Sequence, residues 1–430
     1  MNAAPASTVR NGGWLIVAML AFSTFLNYVD RQTLSLLSRP IQDALLMDDK
    51  AYAAVVTSFM IAYTVGNVSS GLLVDRLGAV RAMPVFVVLW SLAGALCGLA
   101  DNSTHLGAAR FFLGLFETGN FLAAPIIVSM FLPADQKAFG IGIYTAAAML
   151  GAAVSPPLVT LVNELAGWRA AFMLMGGAGL IWAFIWWLLP TRDIGAQGMG
   201  EQEDARSDPP GAVDIQTWGQ ALTEPRVWAQ ALGTMLTFPV WFFYLNWFPK
   251  YLTDERGLST LEMGTRAWVV YLFAGIGCML AGVVIAALLR RTRLSALCAR
   301  IWVMAAVAVL APVGAINYFT PPVAVSLASA AWVALFHMIW QITVTSLPLE
   351  LFTARSLGKV LGIVGIVSGI GGIVSTWLIG NLVSVVSFRP MFIVMASVYL
   401  IAMAVMLALY KRGGVRLMSA GTPAMKASAR

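Results

Sequence analysis

Long apolar segments recur along almost the whole chain, and they limit the folds that are open to it. A segment of about 20 apolar residues is enough for a helix to cross the ~30 Å hydrocarbon core of a bilayer. Only 11% of the residues are charged, which is too few for the surface of a soluble protein of this length. The sequence therefore predicts an all-α polytopic membrane protein with twelve transmembrane helices, at 14–37, 52–73, 80–100, 104–131, 138–165, 169–190, 226–252, 262–290, 296–316, 321–348, 357–385 and 389–411.

The twelve segments fall into two groups of six, separated by a polar stretch with no apolar period. We predict an N-terminal six-helix half at 1–190, a cytoplasmic linker at 191–225, a C-terminal six-helix half at 226–411 and a cytoplasmic tail at 412–430. A Leu-Pro pair followed by a basic residue and glycines precedes both the fifth and the eleventh segment, at Leu132-Pro133 and Leu347-Pro348. This correspondence indicates a duplicated six-helix unit.

Basic residues concentrate in alternate short loops, and this asymmetry sets the expected topology. They lie between segments 2 and 3, 4 and 5, 8 and 9, 10 and 11, and after the last one. Both termini are therefore expected in the cytoplasm, with the chain passing repeatedly through the cell membrane. The net charge of +7 forms no dense basic patch, so the lipid bilayer is an expected partner and nucleic acid is not.

The first segment carries the stretch Asn27-Tyr28-Val29-Asp30-Arg31 inside an apolar run. Each such charge costs roughly 2.5–3.5 kcal/mol near the centre of a membrane helix, so charges retained there usually serve function. Neighbouring helical residues point about 100° apart, and Asp30 and Arg31 are thus predicted to face different surroundings. The alternative is a pair that snorkels from a helix end.

Arg110 and Glu117 supply a second charged pair, seven residues apart on one face of the fourth segment. Counting ~1.5 Å per residue from the segment ends puts Arg31 and Arg110 at similar depths and Glu117 near the bilayer midplane. Two guanidinium groups at one level suit an organic anion, because an arginine fork matches a carboxylate. The alternative for Arg110 and Glu117 is a fixed ion pair within one helix.

The two carboxylates, Asp30 and Glu117, suit coupling to protons. Burial favours the protonated form of a carboxyl group, whereas a nearby guanidinium favours the ionised form. An anion that competes for the arginine charge would change this balance. We therefore predict Asp30 and Glu117 as proton-coupling residues. Glu117 is expected to be the main proton carrier, because a group near the midplane can be reached from either side of the membrane.

The loop between the second and third segments carries a compact motif of glycines and charges. Two glycines permit close packing and a tight turn, and an acid between arginines can bind helix ends or opposite charges. We predict a conformational latch formed by Gly71, Asp75, Arg76, Gly78 and Arg81. The alternative is that the arginines only mark topology.

The helix plan, the linker and the Gly71–Arg81 motif resemble the major facilitator superfamily. Asn27–Gln32, Arg110 with Glu117, and Trp247-Phe248-Pro249-Lys250-Tyr251-Leu252 resemble its anion:cation symporter family, whose bacterial members import hexuronates, galactonate and glucarate with protons. The resemblance implies that Asp30 and Glu117 are protonation sites and that Arg31 and Arg110 handle the anion. It also implies that Tyr28, Tyr63 and Asn246 contact the substrate.

The chain departs from this family at Ala148 and Gly365, where sugar-acid members can carry Gln and Asn. The loss of these polar groups favours a substrate with fewer hydroxyl groups than a hexonate. Further predicted cavity residues, each with helix–helix contact as the alternative, are Trp241, Tyr244, Gln341 and Thr345. His337 is expected to be a neutral buried residue, with titration near neutral pH as the alternative.

We therefore predict a monomeric secondary transporter that imports a small organic anion with protons by alternating access. If the protein is a transporter of another kind, the alternative is export or exchange without protons. If it is not a transporter, the alternative is a receptor or a membrane-embedded enzyme. The two histidines lie on separate segments, and the three cysteines have no metal-ligand spacing, so neither an enzyme site nor a metal site is expected. No cofactor is expected beyond the coupling proton.

Overall fold

The structure is a computed structural model, and it describes residues 6–132, 134–189 and 211–415. Within these ranges the chain is almost entirely helical, and β geometry is limited to single bridge positions, among them the bridge between Val213 and Phe352. Residues 191–210 of the predicted linker and 416–430 of the predicted tail lie outside the described residues.

Six helices lie within the described part of the first 190 residues. They are α1 (Ala6–Leu36), α2 (Ser38–Leu45), α3 (Asp49–Leu77), α4 (Ala79–Gly98), α5 (Ser103–Phe131) and α6 (Ala134–Leu188). The helices described after them are α7 (Trp218–Thr223), α8 (Pro225–Phe242), α9 (Phe248–Asp254), α10 (Thr260–Arg291), α11 (Ala296–Leu310), α12 (Val323–Ser346), α13 (Pro348–Leu351), α14 (Leu357–Val386) and α15 (Arg389–Arg412). A π-helical turn joins α8 to α9 at Phe243–Trp247, and 3₁₀ segments lie at Ala311–Phe319 and Ala354–Ser356.

All twelve predicted segments fall on these helices, although some helices differ from a single straight span. Nine described helices are long and apolar enough to cross a membrane, or ten if the bent pair Asp49–Asn67 and Ser69–Leu77 counts as one span. Helix α6 has 55 residues and covers two predicted segments, which meet at Gly167 where φ is +82°. The seventh predicted segment is built from α8, the π-helical turn and α9.

Helix starts follow local sequence signals. The side chains of Asp48, Asn102 and Ser295 each accept a hydrogen bond from a backbone N–H in the first turn of α3, α5 and α11, which satisfies donors that the helix itself leaves unpaired. Between α3 and α4 the chain turns at Gly78 with φ of +76°, a conformation that suits glycine. At Gly78 one helix ends and the next begins without an intervening loop.

The described residues form two compact units that are not continuous in sequence. Unit 1 comprises Met1–Asp204, Phe242–Leu272 and Ile373–Phe388, and unit 2 comprises Ala205–Trp241, Phe273–Gly372 and Arg389–Arg430. In unit 1, α1 packs on α6 and α5, and α5 also packs on α3 and α4. The predicted division into halves at the linker stays a prediction.

The end of the predicted linker is ordered by hydrogen bonds within unit 2. The Ile215 N–H donates to Ser356 Oγ at 2.6 Å, and the Thr353 hydroxyl donates to Asp214 Oδ1 at 2.9 Å. Asp214 is exposed, and the hydrogen bond from Thr353, followed by the one from Gln216, holds the pKa of its carboxyl below the usual value. These hydrogen bonds hold residues 213–217 beside the start of α14.

Candidate functional site

Arg31 on α1 and Glu117 on α5 form a buried ion pair in unit 1. Arg31 Nη2 donates to Glu117 Oε2 at 2.8 Å, and Nε donates to the same oxygen at 3.1 Å. Glu117 is wholly buried and Arg31 is 7% exposed. Because α1 and α5 pack together in an apolar bundle, this pair is the main charged contact between them. The snorkelling alternative for Arg31 does not fit this burial.

Aromatic rings surround the Arg31 guanidinium on the sides that Glu117 leaves open. Its carbon lies 4.7 Å from the ring centroid of Tyr63, and it lies 5.4 Å from Tyr28, 5.6 Å from Phe59 and 5.9 Å from Phe121. Aromatic faces attract a cation electrostatically, most strongly where water is excluded. Tyr28 and Tyr63, both predicted from the sequence, therefore lie against the same guanidinium group. Phe59 and Phe121, which also contact it, were not predicted.

Arg110 lies beside this pair but does not join it. Its Nη1 donates to the backbone carbonyl of Asp30 at 3.4 Å, and its Nη2 donates to that of Arg31 at 3.3 Å. The guanidinium also stacks 4.9 Å from the centroid of Phe59. No ion pair between Arg110 and Glu117 occurs among the described residues, so the intrahelical alternative does not hold. The Arg110 side chain bonds instead to the backbone carbonyls of Asp30 and Arg31.

Asp30 is buried at 1% exposure, on a different side of α1 from the ion pair. A Cβ atom at Gly94 of α4 would lie 3.7 Å from Asp30 Oδ1, so this carboxylate points toward α4. Neither of its oxygens has a hydrogen-bond partner among the described residues, and Glu117 Oε1 and Arg110 Nε share this property. Unsatisfied buried polar atoms are rare in folded proteins and call for a functional explanation.

The other predicted cavity residues lie in both units. In unit 1, Tyr244 and Asn246 are buried in the π-helical turn. In unit 2, the ring of Trp241 stacks on His337 at 6.0 Å, and His337 Nδ1 bonds to the Tyr399 hydroxyl at 2.7 Å.

Two predicted cavity residues of α12 differ in exposure. Gln341 is half-buried, and its Oε1 has no hydrogen-bond partner in the described part of the chain. Thr345 is exposed. The two side chains share a helix face, but only Gln341 has the burial that a polar contact inside a bundle requires. The participation of both in binding stays a prediction.

The predicted latch is present as a turn but not as a cluster of contacts. Asp75, Arg76 and Arg81 are exposed around the Gly78 turn, and Gly71 is half-buried one turn earlier on α3. None of the three charged side chains forms an ion pair within residues 6–132, 134–189 and 211–415. The role of the motif as a latch stays a prediction.

Lys250 on α9 forms a second buried ionic cluster that the sequence reading missed. Its Nζ donates to Gln42 Oε1 at 2.8 Å, pairs with Asp49 Oδ1 at 3.0 Å, and contacts Asp254 one turn later in the same helix. The lysine is 1% exposed, whereas the side chains of Asp49 and Asp254 are 28% and 17% exposed. All four residues belong to unit 1. The signal for this cluster was a lysine in an apolar run with an acid four residues later.

No group of three or more His, Cys, Asp or Glu side chains in the described ranges is arranged to hold a metal ion. Cys97 and Cys298 are buried as free thiols, and Cys278 is half-buried. The chemistry that remains is that of two carboxylates, two guanidinium groups and aromatic rings.

Comparison with known proteins identifies similar sequences over most of the chain. The family model described as Major Facilitator Superfamily matches residues 20–375. The hexuronate transporter of Escherichia coli strain K12 is 25% identical over 394 residues, which is 89% of this chain and 90% of that protein. The D-galactonate transporter of Escherichia coli O6:H1 is 26% identical over 402 residues, covering 90% and 93% of the two chains.

Solved structures show the same fold. A bacterial homologue of the human lysosomal transporter Spinster, crystallised in an inward-facing and occupied conformation, superposes with a TM-score of 0.72. The alignment covers 98% of this chain and 100% of the other, at 17% identity. The same homologue in an inward-facing and unoccupied conformation gives a TM-score of 0.69 at 18% identity. At these identities the likeness concerns the fold alone.

Proposed function

The chain belongs to the major facilitator superfamily, and on that premise we propose that it is a proton-coupled symporter that imports an organic anion of the sugar-acid class by alternating access. The observation that carries the proposal is the buried Arg31–Glu117 pair, which lies beside Arg110 and beside an Asp30 carboxylate without a hydrogen-bond partner among the described residues. The sugar-acid transporters that resemble the chain over most of its length support the substrate class.

Substrate binding acts through competition for Arg31. Glu117 presents one oxygen to Arg31 and leaves Oε1 without a described partner. A substrate carboxylate can take the same guanidinium fork, because planar bidentate contact is what arginine offers to any carboxylate. Glu117 then loses its counter-charge in a wholly buried position, where an ionised carboxylate is strongly disfavoured. Uptake of a proton by Glu117 relieves this cost.

Charge balance also requires that a proton is taken up when the anion binds. Asp30 and Glu117, when ionised, balance Arg31 and Arg110, so the four side chains sum to zero without substrate. A monovalent anion adds one negative charge to an apolar bundle, and one proton on a carboxylate restores neutrality. Movement of substrate and proton together is therefore cheaper than movement of the anion alone.

The substrate we propose has fewer hydroxyl groups than a hexonate. Ala148 is buried and offers no hydrogen bond, and a side chain at Gly365 would meet nothing within 4 Å. An anion that presents an apolar or aromatic face fits the rings of Tyr28, Tyr63 and Phe59 around Arg31. Sugar acids with few hydroxyl groups and simpler or aromatic carboxylates form this class.

The remaining parts of the proposal follow from the sequence. Both termini lie in the cytoplasm, because Lys and Arg concentrate in the loops on that side. The protein works as a monomer in a bacterial inner membrane and uses no cofactor other than the coupling proton.

Proteoliposomes with an imposed inward proton gradient provide the test. The panel contains galacturonate, glucuronate, galactonate, glucarate and simpler or aromatic carboxylates. We expect gradient-driven accumulation of one class by the unmodified protein. Glu117→Gln should abolish accumulation and retain exchange of substrate down its own gradient, because glutamine keeps the shape but carries no titrating proton.

The matched control is Glu262→Gln, at an exposed glutamate near the start of α10 that pairs with Arg266. We expect this variant to accumulate substrate normally. Undiminished uphill uptake by Glu117→Gln would remove that residue from proton coupling. Counterflow by the unmodified protein without accumulation would replace symport by exchange or uniport.

A further inference from the structure

An apolar groove of about 620 Å³ opens on the surface of unit 2, between α10, α11 and α12. On α10 its lining residues are Val284, Ala287, Leu288 and Arg291, spaced so that they form one stripe of the helix. Trp302 and Ala306 belong to the opposite wall on α11. The stripe from Val284 to Arg291 is about 10 Å long at 1.5 Å per residue.

Exposed apolar side chains are expected around any membrane-spanning helix, so exposure alone assigns nothing here. Two features distinguish this groove. It is concave, with a volume in the range of small-molecule sites, roughly 300–1,000 Å³. In addition, Arg291 is the one charged residue among those that line it. The groove therefore has an apolar body and a single cationic end.

The charge at that end is not neutralised within the described structure. Arg290, Arg291 and Arg293 are all exposed. None of them forms an ion pair with another described residue, whereas Arg300 on the neighbouring helix is paired with Glu350 at 2.8 Å. Three arginines at the end of one membrane helix lie where lipid headgroups meet water.

We propose that this groove is a binding site for one anionic phospholipid, with an acyl chain along the groove and the phosphate on Arg291. The apolar walls match a hydrocarbon chain, and a guanidinium fork matches phosphate oxygens. A groove about 10 Å long holds less than two turns of a helix, which disfavours a partner helix as the occupant. Lipid binding here is independent of the transport function proposed above.

Native mass spectrometry of the full-length protein in detergent tests the site. Phosphatidylglycerol and phosphatidylcholine with identical acyl chains are titrated separately at low ionic strength. We expect one high-affinity phosphatidylglycerol and weaker binding of phosphatidylcholine. Arg291→Ala should weaken the phosphatidylglycerol affinity about fivefold, the effect of one arginine near an anionic headgroup.

Two matched controls separate this groove from the general surface. Arg412→Ala removes an exposed arginine at the end of α15 that does not line the groove. Ala306→Trp fills the groove, whereas Val309→Trp adds the same ring at a 71% exposed position outside the lining. We expect Ala306→Trp to abolish the high-affinity lipid, and Arg412→Ala and Val309→Trp to leave it unchanged.

Several outcomes would overturn the assignment. Equal affinity for the two lipids would show that the groove does not select an anionic headgroup. An equal loss in Arg291→Ala and Arg412→Ala would indicate a diffuse basic surface. Displacement of the lipid by an equal concentration of inorganic phosphate would show that the acyl chain contributes nothing to binding.

Discussion

Two of the cations buried in unit 1, Arg31 and Lys250, are satisfied in opposite ways. Lys250 has two carboxylates and an amide oxygen within reach, and both carboxylates retain some access to water. Arg31 has a single carboxylate, and that carboxylate is wholly buried. Around Arg31 several polar atoms have no partner among the described residues, including both oxygens of Asp30.

The contrast distinguishes a structural lock, the Lys250 cluster, from the binding site proposed at Arg31. A cation with a complete set of partners has little left to offer a ligand, so the Lys250 cluster serves to hold α2, α3 and α9 together. A charged group whose neighbours are incompletely bonded gains more from a new partner than it loses. The Arg31 region has this property. Arg110 Nε and Asn27 Nδ2 are donors without a hydrogen-bond partner among the described residues, and donors are what an incoming anion needs.

The largest expected effect is that of Arg31→Ala. We expect affinity for the transported anion to fall about a hundredfold, because truncation of one partner in a buried charged pair costs about 2–5 kcal/mol. Isothermal titration of the purified protein measures this affinity. The variant should also unfold more readily, since Glu117 is left buried without a counter-charge.

A double variant distinguishes lost binding from lost folding. Arg31→Ala combined with Glu117→Gln leaves no unpaired charge at this position, so stability should recover while binding does not. Recovery of affinity in the double variant, or normal affinity in Arg31→Ala, would remove Arg31 from the anion site.

Lys250→Met should have a smaller and different effect. Methionine keeps much of the apolar stem, and Asp49 and Asp254 can turn toward water. We expect a loss of about 2 kcal/mol in the free energy of unfolding, below the usual cost of breaking a fully buried pair. Thermal unfolding followed by tryptophan fluorescence measures it. Anion affinity should stay within threefold of the unmodified protein, and a hundredfold loss would contradict the division between lock and site.

Asp30→Asn tests the carboxylate that lacks described partners. Asparagine has nearly the same shape without the charge, so stability should be unchanged or higher by about 1 kcal/mol. Accumulation driven by a proton gradient should fall, because a titratable group is removed. A marked loss of stability would mean that the Asp30 carboxylate makes a stabilising contact, as Lys250 does, and the contrast between the two regions would fail.

Asp214→Asn gives the smallest effect and extends the comparison to a carboxylate that has partners but is fully exposed. Hydrogen bonds from Thr353 and Gln216 lower the pKa of Asp214. A lowered folded pKa means that its contribution to stability is present above the unfolded pKa of about 3.9 and is lost as pH falls through the folded value.

The measurement for Asp214 is the melting temperature at several pH values. We expect the unmodified protein to melt slightly higher than Asp214→Asn from pH 5 to 8, and the difference to shrink as the pH falls below the unfolded pKa and through the folded one. A difference that grows on acidification would reverse the assigned sign.

The fold followed from the sequence to a large extent, because membrane-spanning helices must be long and apolar. The helical fold of the major facilitator superfamily is confirmed. The family and the relatives are transporters, which confirms that the chain is not an enzyme. Two local features were not predictable: the continuity of α6 through Gly167 and the π-helical turn at Phe243–Trp247. Both are local backbone conformations, and neither changes the hydropathy of the sequence.

The sequence identified most of the residues that the structure brings together around Arg31, but not how they pair; their role in binding stays a prediction. Helical geometry separated Asp30 from Arg31, and the structure places them on different sides of α1. Spacing alone offered Arg110 as the neighbour of Glu117, but the structure pairs Glu117 with Arg31. The choice depends on how α1 and α5 are rotated against each other, which no property of a single helix determines.

The π-helical turn at Phe243–Trp247 has a consequence for how this protein tolerates insertions and deletions. Such a turn holds one more residue than an α-helical turn over nearly the same rise. Removal of one residue there would leave an unbroken α-helix in which the residues after the turn keep nearly their present orientation. Lys250 would then stay beside Gln42 and Asp49. A one-residue deletion should therefore be tolerated in this stretch, whereas the same deletion in a regular helix would rotate everything after it by about 100°.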